Sequence, residues 1–257
     1  LSVYRTSPFG DKRFFVGLDN FVTLLTSPEY YHSIVVSFIF GFGVTGLAVG
    51  GGLFVSALAT QNIRGLTAYR TAVLWPYGIA APVAGIIFLF MFHPSYGVLP
   101  YWLSFVTSYD FNWLLKGWVA MVLVIGATAW TVVGYNIAFF LAGLLAIPAS
   151  VLEAASVDGA GAIRRFVSIV LPLLSPITFY LVVVNLIFAF FGSFGVIHAV
   201  TQGGPGRATE ILVYKVWKDG FIGLNLGSSA AQSVILMIIV ITLTALQFRF
   251  VERRVTY

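Results

Sequence analysis

The chain has 257 residues, of which 59% are hydrophobic and only 9% are charged. Because a soluble domain carries about 25% charged residues, this chain cannot cover its own surface with polar groups and must be solvated by lipid. The formal net charge of +5 is small and comes with no basic run, which argues against nucleic acid as a partner, and the lack of cysteine excludes disulfides and thiolate chemistry.

The first thirty residues are mixed and polar. They resemble neither a signal peptide nor a membrane-spanning helix. We therefore expect that an N-terminal piece of the protein, such as a further transmembrane helix, is absent from this sequence.

Five later segments are long and apolar enough to cross a membrane, since a helix needs about 20 apolar residues to cross a hydrocarbon core of roughly 30 Å. Backbone groups in lipid must be paired within their own segment, so these segments are expected to be helices. The predicted spans are about 33–59, 72–93, 117–146, 173–197 and 229–248. The sequence thus predicts an all-α, polytopic membrane helix bundle that forms a single domain, 1–257.

Several motifs that suggest chemistry have a simpler explanation. The stretch GFGVTG (41–46) fits a dinucleotide-binding pattern, but it lies inside an apolar run, where small residues permit tight helix packing. The three histidines show no metal-ligand spacing, and no nucleophile or phosphate-loop motif appears, so the chain is not expected to be an enzyme. Charged residues are missing from the middle of every span, which argues against an ion-coupled carrier.

The segment between the third and fourth spans, 147–172, reads as two short helices joined by a turn. Pro148 suits a first helical turn, and a helix is predicted to run through about Val157. Gly159 can take the left-handed conformation that ends a helix. The second helix then shows an apolar stripe formed by Ile163, Phe166, Val167 and Val170. Pattern alone leaves open whether this is an ordinary interfacial helix or a surface that another protein contacts.

Charge counting gives little help with orientation. Each side of the membrane carries seven cations: Arg64, Arg70, Arg164, Arg165, Arg249, Arg253 and Arg254 on one side, and Arg5, Lys12, Arg13, Lys116, Arg207, Lys215 and Lys218 on the other. The first set is packed into fewer residues, so the positive-inside rule only weakly favours a cytoplasmic position for loops 60–71, 147–172 and 249–257.

The amino-acid sequence of the segment 147–172 is a more specific guide to its role than charge counting. Glu153-Ala154-Ala155, Gly159, Ile169 and Leu171-Pro172 stand at the spacing of the EAA loop, so the segment resembles that loop of the membrane subunits of ABC importers. This resemblance implies a cytoplasmic coupling helix that docks on an ATPase subunit. The residues it implicates in ATPase coupling are Glu153, Ala154, Ala155, Asp158, Gly159, Ala160, Arg164 and Arg165.

Other stretches extend the likeness over nearly the whole chain. Residues 75–97, 203–221 and 228–240 resemble the carbohydrate-uptake, maltose-type branch of these permeases, and both chain ends are most similar to the A-type permeases of glycerol-3-phosphate importers. The resemblance implies a multi-pass protein of the bacterial inner membrane. It also implies an ABC ATPase homodimer that holds ATP and Mg, a second homologous permease and an external substrate-binding protein, with no cofactor on this chain.

The resemblance places substrate contacts at Tyr77, Thr128, Thr131 and Asn185. Asn136 and Gln232 are further candidates, because an unpaired amide in lipid is costly; helix–helix hydrogen bonds are the alternative explanation for all these polar groups. The cargo would be a sugar, a polyol or a glycerol phosphate. No span carries a cation for a phosphate, so the partner subunit supplies it, the path is wide and wet, or the cargo is neutral.

Two other classes of function remain open on sequence alone: a secondary carrier or channel that works without an ATPase, and a membrane scaffold without a transport role. Association with an ATPase separates the importer subunit from both.

Overall fold

The computed structural model describes residues 1–6, 13–60, 71–106 and 111–250. Helices make up most of this part of the chain, and a short antiparallel hairpin of β1 and β2 precedes them. In chain order the elements are β1 Tyr4–Thr6, β2 Arg13–Phe15, α1 Asp19–Leu25, α2 Pro28–Ala59, a 3-10 helix Trp75–Gly78, α3 Ala81–Phe92, α4 Val98–Val106, α5 Gly117–Ala146, α6 Ala149–Val157, α7 Ala162–Leu173, α8 Ser175–Phe191, α9 Phe194–Val200, α10 Leu212–Trp217 with a π-helix Lys218–Ile222, and α11 Leu226–Phe250.

The predicted membrane helix bundle is confirmed. Within the described residues, α2, α5 and α11 are each long and apolar enough to cross a membrane alone. Two bent pairs bring the number to five if each pair crosses as one span. Much of the loops 60–71 and 249–257, with Arg64, Arg70, Arg253 and Arg254, lies outside the described residues.

Two of the predicted spans are not straight helices. The second, 72–93, bends by 108° where the 3-10 helix ends and α3 begins, because Ile79 and Ala80 have extended backbone between the two. The fourth begins at α8 after a 66° bend at Leu174, and prolines lie on both sides of that bend. Proline has no N–H to donate to the preceding turn. At its far end α8 stops at Phe191, so the last residues predicted for this span belong to α9.

Glycines on α2 bring its backbone against α5. A Cβ atom added at Gly43 would lie 2.7 Å from Cδ1 of Ile125, and one added at Gly52 would lie 2.6 Å from Cβ of Asn136. Both contacts advance in the same direction along the two helices, so α2 and α5 run parallel. The GFGVTG motif therefore serves helix packing, as the sequence predicts.

The helix α8 runs antiparallel to this pair. Phe190 near its end contacts α2 at Gly41, while Asn185, one turn earlier, bonds to Asn136 of α5. The C-terminal ends of α2 and α5 and the start of α8 therefore meet at one end of the bundle. The segment 147–172, called the elbow below, lies at this end.

Candidate functional site

The elbow consists of α6, a tight turn and α7. Gly159 ends α6 with φ of +78°. The amide of Ala160 donates to the carbonyl of Ala155 at 3.0 Å, and the amide of Gly159 donates to that of Ser156 at 3.1 Å. These two bonds form a Schellman motif, which closes a helix through a residue in the left-handed conformation. The helix, its end at Val157 and the glycine turn agree with the sequence prediction.

Arg165 ties the two helices of the elbow together. From α7, its Nη1 donates to the hydroxyl of Ser156 and lies 3.5 Å from the carbonyl oxygen of Leu152, both on α6. The neighbouring Arg164 is exposed. Of the two arginines grouped together by sequence, one therefore braces the elbow internally and the other is available to a partner.

The elbow packs onto the bundle through an apolar cluster that includes Leu152, Phe166 and Val170. The predicted stripe is only half buried, because Ile163 and Val167 are exposed. A π-helical turn over Phe166–Val170 widens the helix there and rotates the stripe away from the 3.6-residue repeat.

The outer face of the elbow surrounds the turn. Val157 and Ile163, on either side of the turn, are 87% and 82% exposed. Glu153, Ala154, Asp158, Gly159 and Arg164 are also exposed, and Ala160 is partly exposed. Ala155 differs from the expectation: it is buried on the inner side of α6, where its small side chain allows close packing. The result is an apolar tip bordered by two carboxylates and one guanidinium.

A cavity of about 290 Å³ lies in the bundle at a distance from the elbow, between the 3-10 helix, α5 and α8. This is close to the lower limit of about 300 Å³ for ligand sites. It is lined by Tyr77, Val132, Tyr135, Val184, Asn185 and Phe188. Tyr77 reaches it because Gly134 leaves room: a Cβ atom at that position would lie 3.1 Å from Cβ of Tyr77.

The cavity brings together two of the predicted path residues, Tyr77 and Asn185, and adds aromatic residues that sequence reasoning missed. These are Tyr135 and Phe188. A signal existed for Phe188, because it follows Val184 by four residues and so shares one face of α8 with it.

Asn136 and Asn185 form a reciprocal amide pair beside the cavity. Asn136 Nδ2 donates to Asn185 Oδ1 at 3.1 Å, and Asn185 Nδ2 donates to Asn136 Oδ1 at 2.8 Å. Each Nδ2 also donates to the carbonyl one turn earlier, that of Val132 or of Leu181. All four N–H groups are therefore used within the protein. Asn136 is fully buried and bonds α5 to α8, as the helix–helix alternative expects.

The remaining candidates do not line this cavity. Thr131 donates to the carbonyl of Thr128 at 2.7 Å, and both residues are buried within α5. Gln232 is fully buried on α11, where its Nε2 donates to Asp219 at 2.6 Å and lies 3.2 Å from the hydroxyl of Ser228.

Gln232 belongs to a charged network at the end of the bundle opposite the elbow. Lys218 contacts Glu210 at 2.6 Å, and Lys215 contacts Asp219 at 3.1 Å. Glu210 is almost fully buried although it stands in a glycine-rich loop. The sequence gives no sign of its burial, because Glu210 approaches Lys215 and Lys218 of the following helix only once the loop has folded.

We expect the amide pair to behave as a coupled unit. Asn136→Leu alone leaves one N–H of Asn185 buried without a partner, because the other still donates to the carbonyl of Leu181, and should lower the free energy of unfolding by about 1–3 kcal/mol. Replacing both residues with leucine should cost less than the single change, because no amide is then left unpaired. Thermal unfolding of the purified protein in detergent, followed by tryptophan fluorescence, measures this. A double variant whose loss of stability equals or exceeds the sum of the losses in the two single variants would contradict the coupling.

Comparison with known proteins identifies the kind of protein to which this architecture belongs. Residues 65–257 match the family model described as "Binding-protein-dependent transport system inner membrane component". The "sn-glycerol-3-phosphate transport system permease protein UgpA" of Rhizobium meliloti is 54% identical over 258 residues, which cover 100% of this chain and 87% of the relative. The protein of the same name from Pectobacterium atrosepticum is 46% identical over 256 residues, which cover 100% of this chain and 86% of the relative.

Solved structures share the fold. A bacterial ABC transporter involved in the import of the acidic polysaccharide alginate contains a chain with a TM-score of 0.83 and 19% identity, over 96% of this chain and 87% of that chain. The MetNI methionine ABC transporter contains one with a TM-score of 0.58 and 19% identity, over 93% of this chain and 99% of that chain. The chain therefore belongs to the inner membrane components of binding-protein-dependent transport systems, the multi-pass permease subunits of ABC importers.

Proposed function

We propose that this permease imports sn-glycerol-3-phosphate or a closely related glycerol phosphate, sugar or polyol. The observation that carries the proposal is the 54% identity, over the whole chain, to a relative named for glycerol-3-phosphate transport. The comparison with the alginate transporter supports the fold alone, since its identity is only 19%.

We infer that the elbow faces the cytoplasm and docks on an ABC ATPase dimer, which binds ATP and Mg. The literal EAA pattern supports this role, and so does an exposed apolar tip that no other part of the described chain covers. The Schellman turn and the Arg165 tie make the elbow stiff. Movement of the docked ATPase would therefore shift α5 and α8 rather than be absorbed in soft backbone.

The translocation path would pass the cavity beside Tyr77 and Asn185, with a second homologous permease forming the opposite wall and a binding protein delivering the cargo. A structure of the alginate ABC transporter in complex with an "alginate pentasaccharide-bound periplasmic protein" contains a chain of this fold, with a TM-score of 0.79. The same kind of partner is part of the proposal for this chain, and it would deliver its cargo at the end of the bundle opposite the elbow.

The cargo is tested on the purified complex of both permeases, the ATPase and the binding protein. ATP hydrolysis is measured with glycerophosphates, polyols and sugars in turn. We expect sn-glycerol-3-phosphate or another glycerophosphate to give the largest stimulation. Stimulation by a sugar alone would exclude glycerol phosphates as the cargo without changing the family.

Gly159 offers a test of the elbow. A Cβ atom there would meet nothing within 4 Å, so the effect of a substitution comes from the left-handed backbone and from any added charge. Gly159→Val should lose cargo uptake, because a non-glycine residue in this conformation costs about 1–2 kcal/mol. Gly159→Asn should keep most uptake, because asparagine tolerates the conformation. Gly159→Asp should express normally but lose uptake, because it adds charge at the docking face; normal uptake by this variant would count against a docking role.

The two arginines give a matched pair. Arg165→Ala should leave the ATPase bound to the permease but reduce the stimulation of ATP hydrolysis by the loaded binding protein, because the tie between α6 and α7 is lost. Arg164→Ala should instead weaken co-purification of the ATPase, because Arg164 lies on the outer face. Adding Ser156→Ala to Arg165→Ala should have little further effect, since both changes remove one interaction. Equal loss of ATPase binding in both arginine variants would refute the separate roles.

A further inference from the structure

A continuous row of four aromatic rings begins with two residues that line the cavity, Tyr77 and Tyr135, and extends beyond the lining. This aromatic row consists of Tyr77, Tyr135, Phe139 and Tyr180. The ring centroids of Tyr77 and Tyr135 are 5.6 Å apart at an interplanar angle of 29°, and Phe139 lies 4.7 Å from Tyr135 and 5.3 Å from Tyr180. Aromatic faces carry partial negative charge and are apolar, so the aromatic row suits the C–H groups of a ligand and disfavours anions. The aromatic row and Asn185 together are called the cavity wall below.

The amide of Asn185 can accept a hydrogen bond from a ligand but cannot donate one. Both of its N–H groups already donate, to Asn136 Oδ1 and to the carbonyl of Leu181. Its Oδ1 accepts one bond from Asn136, and an amide oxygen has two lone pairs. One acceptor position therefore remains, and it would attract a hydroxyl group and repel a phosphate oxygen.

The cavity wall offers few hydroxyl groups that could donate a hydrogen bond to a ligand. The hydroxyls of Tyr135 and Tyr180 lie 2.7 Å apart and share one hydrogen bond, which uses the proton of one of them. Tyr77 is 58% exposed and offers its own hydroxyl. Two neutral protons are thus available, and the six residues that line the cavity include no cation. A phosphate dianion is bound best by several charge-assisted donors, which this wall does not supply.

We propose that the cavity wall, formed by the aromatic row and Asn185, contacts the uncharged, hydroxyl-bearing carbon part of the cargo. The phosphate is bound by a different surface. The inference rests on the proposed function, because it takes the cavity to lie on the path of a glycerol phosphate. A cargo hydroxyl donates to Asn185 Oδ1 and accepts from the hydroxyl of Tyr77, while its C–H groups lie against the aromatic row. The phosphate points away from this chain's wall.

The chain has no cysteine, which allows a test by thiol labelling in the assembled complex with cysteine-free partner subunits. Val184→Cys and Phe188→Cys each place one thiol in the cavity, and two positions guard against one variant failing to fold. Ser95→Cys, in an exposed loop, is the control. Each thiol is labelled with a cationic and with an anionic methanethiosulfonate reagent, in the presence of glycerol, sn-glycerol-3-phosphate or inorganic phosphate.

We expect the cationic reagent to react several-fold faster than the anionic one in the cavity, relative to the same ratio at the control. Glycerol and sn-glycerol-3-phosphate should slow labelling in the cavity, and inorganic phosphate should not. Protection by inorganic phosphate, or faster labelling by the anionic reagent, overturns the inference even if the complex imports glycerol phosphate. Protection by glycerol in a complex that does not import glycerol phosphate would instead overturn the proposed cargo and leave the preference of the wall intact.

Discussion

The close approach of α2 to α5 at Gly52 sets the geometry of the rest of the bundle. Directly beside it, the amide pair of Asn136 and Asn185 fixes α8 to α5. The hydroxyl of Ser56 lies 2.7 and 3.0 Å from carbonyl oxygens on α2 and α5, which share its one proton. In lipid, where no water competes for these groups, leaving such a donor unpaired is costly. The three helices are thus joined by small residues and paired polar groups.

This junction connects the two candidate sites, the cavity and the elbow. The cavity opens beside Asn185, and the elbow follows the end of α5 and precedes α8. A force applied to the elbow acts on the two helices that carry most of the cavity lining. The 66° bend at Leu174 sets the angle between α7 and α8, and backbone hydrogen bonds from Leu174 to Val170 and from Thr178 to Leu174 lie on either side of it.

Sequence reasoning succeeded where the signal is local. The apolar runs predict the membrane helices, and Gly159 predicts the turn of the elbow, because both depend on residues close together in the chain. It failed where distant residues decide the outcome. The inward position of Ala155, the π-helical turn after Arg165 and the tie from Arg165 to Ser156 depend on how α7 lies against α6 and the bundle. The paired state of Asn185 likewise depends on a residue 49 positions earlier.

The charged network opposite the elbow affects how the protein responds to the salt concentration of its surroundings. Glu210, Lys215, Lys218 and Asp219 carry two negative and two positive charges that cancel, and the first two are nearly buried. Ion pairs removed from water are screened far less than exposed ones. The contact between the loop at Glu210 and the helix that follows it should therefore depend little on salt, and changes in ionic strength should act mainly on the exposed pairs Arg207–Glu29 and Arg5–Asp19.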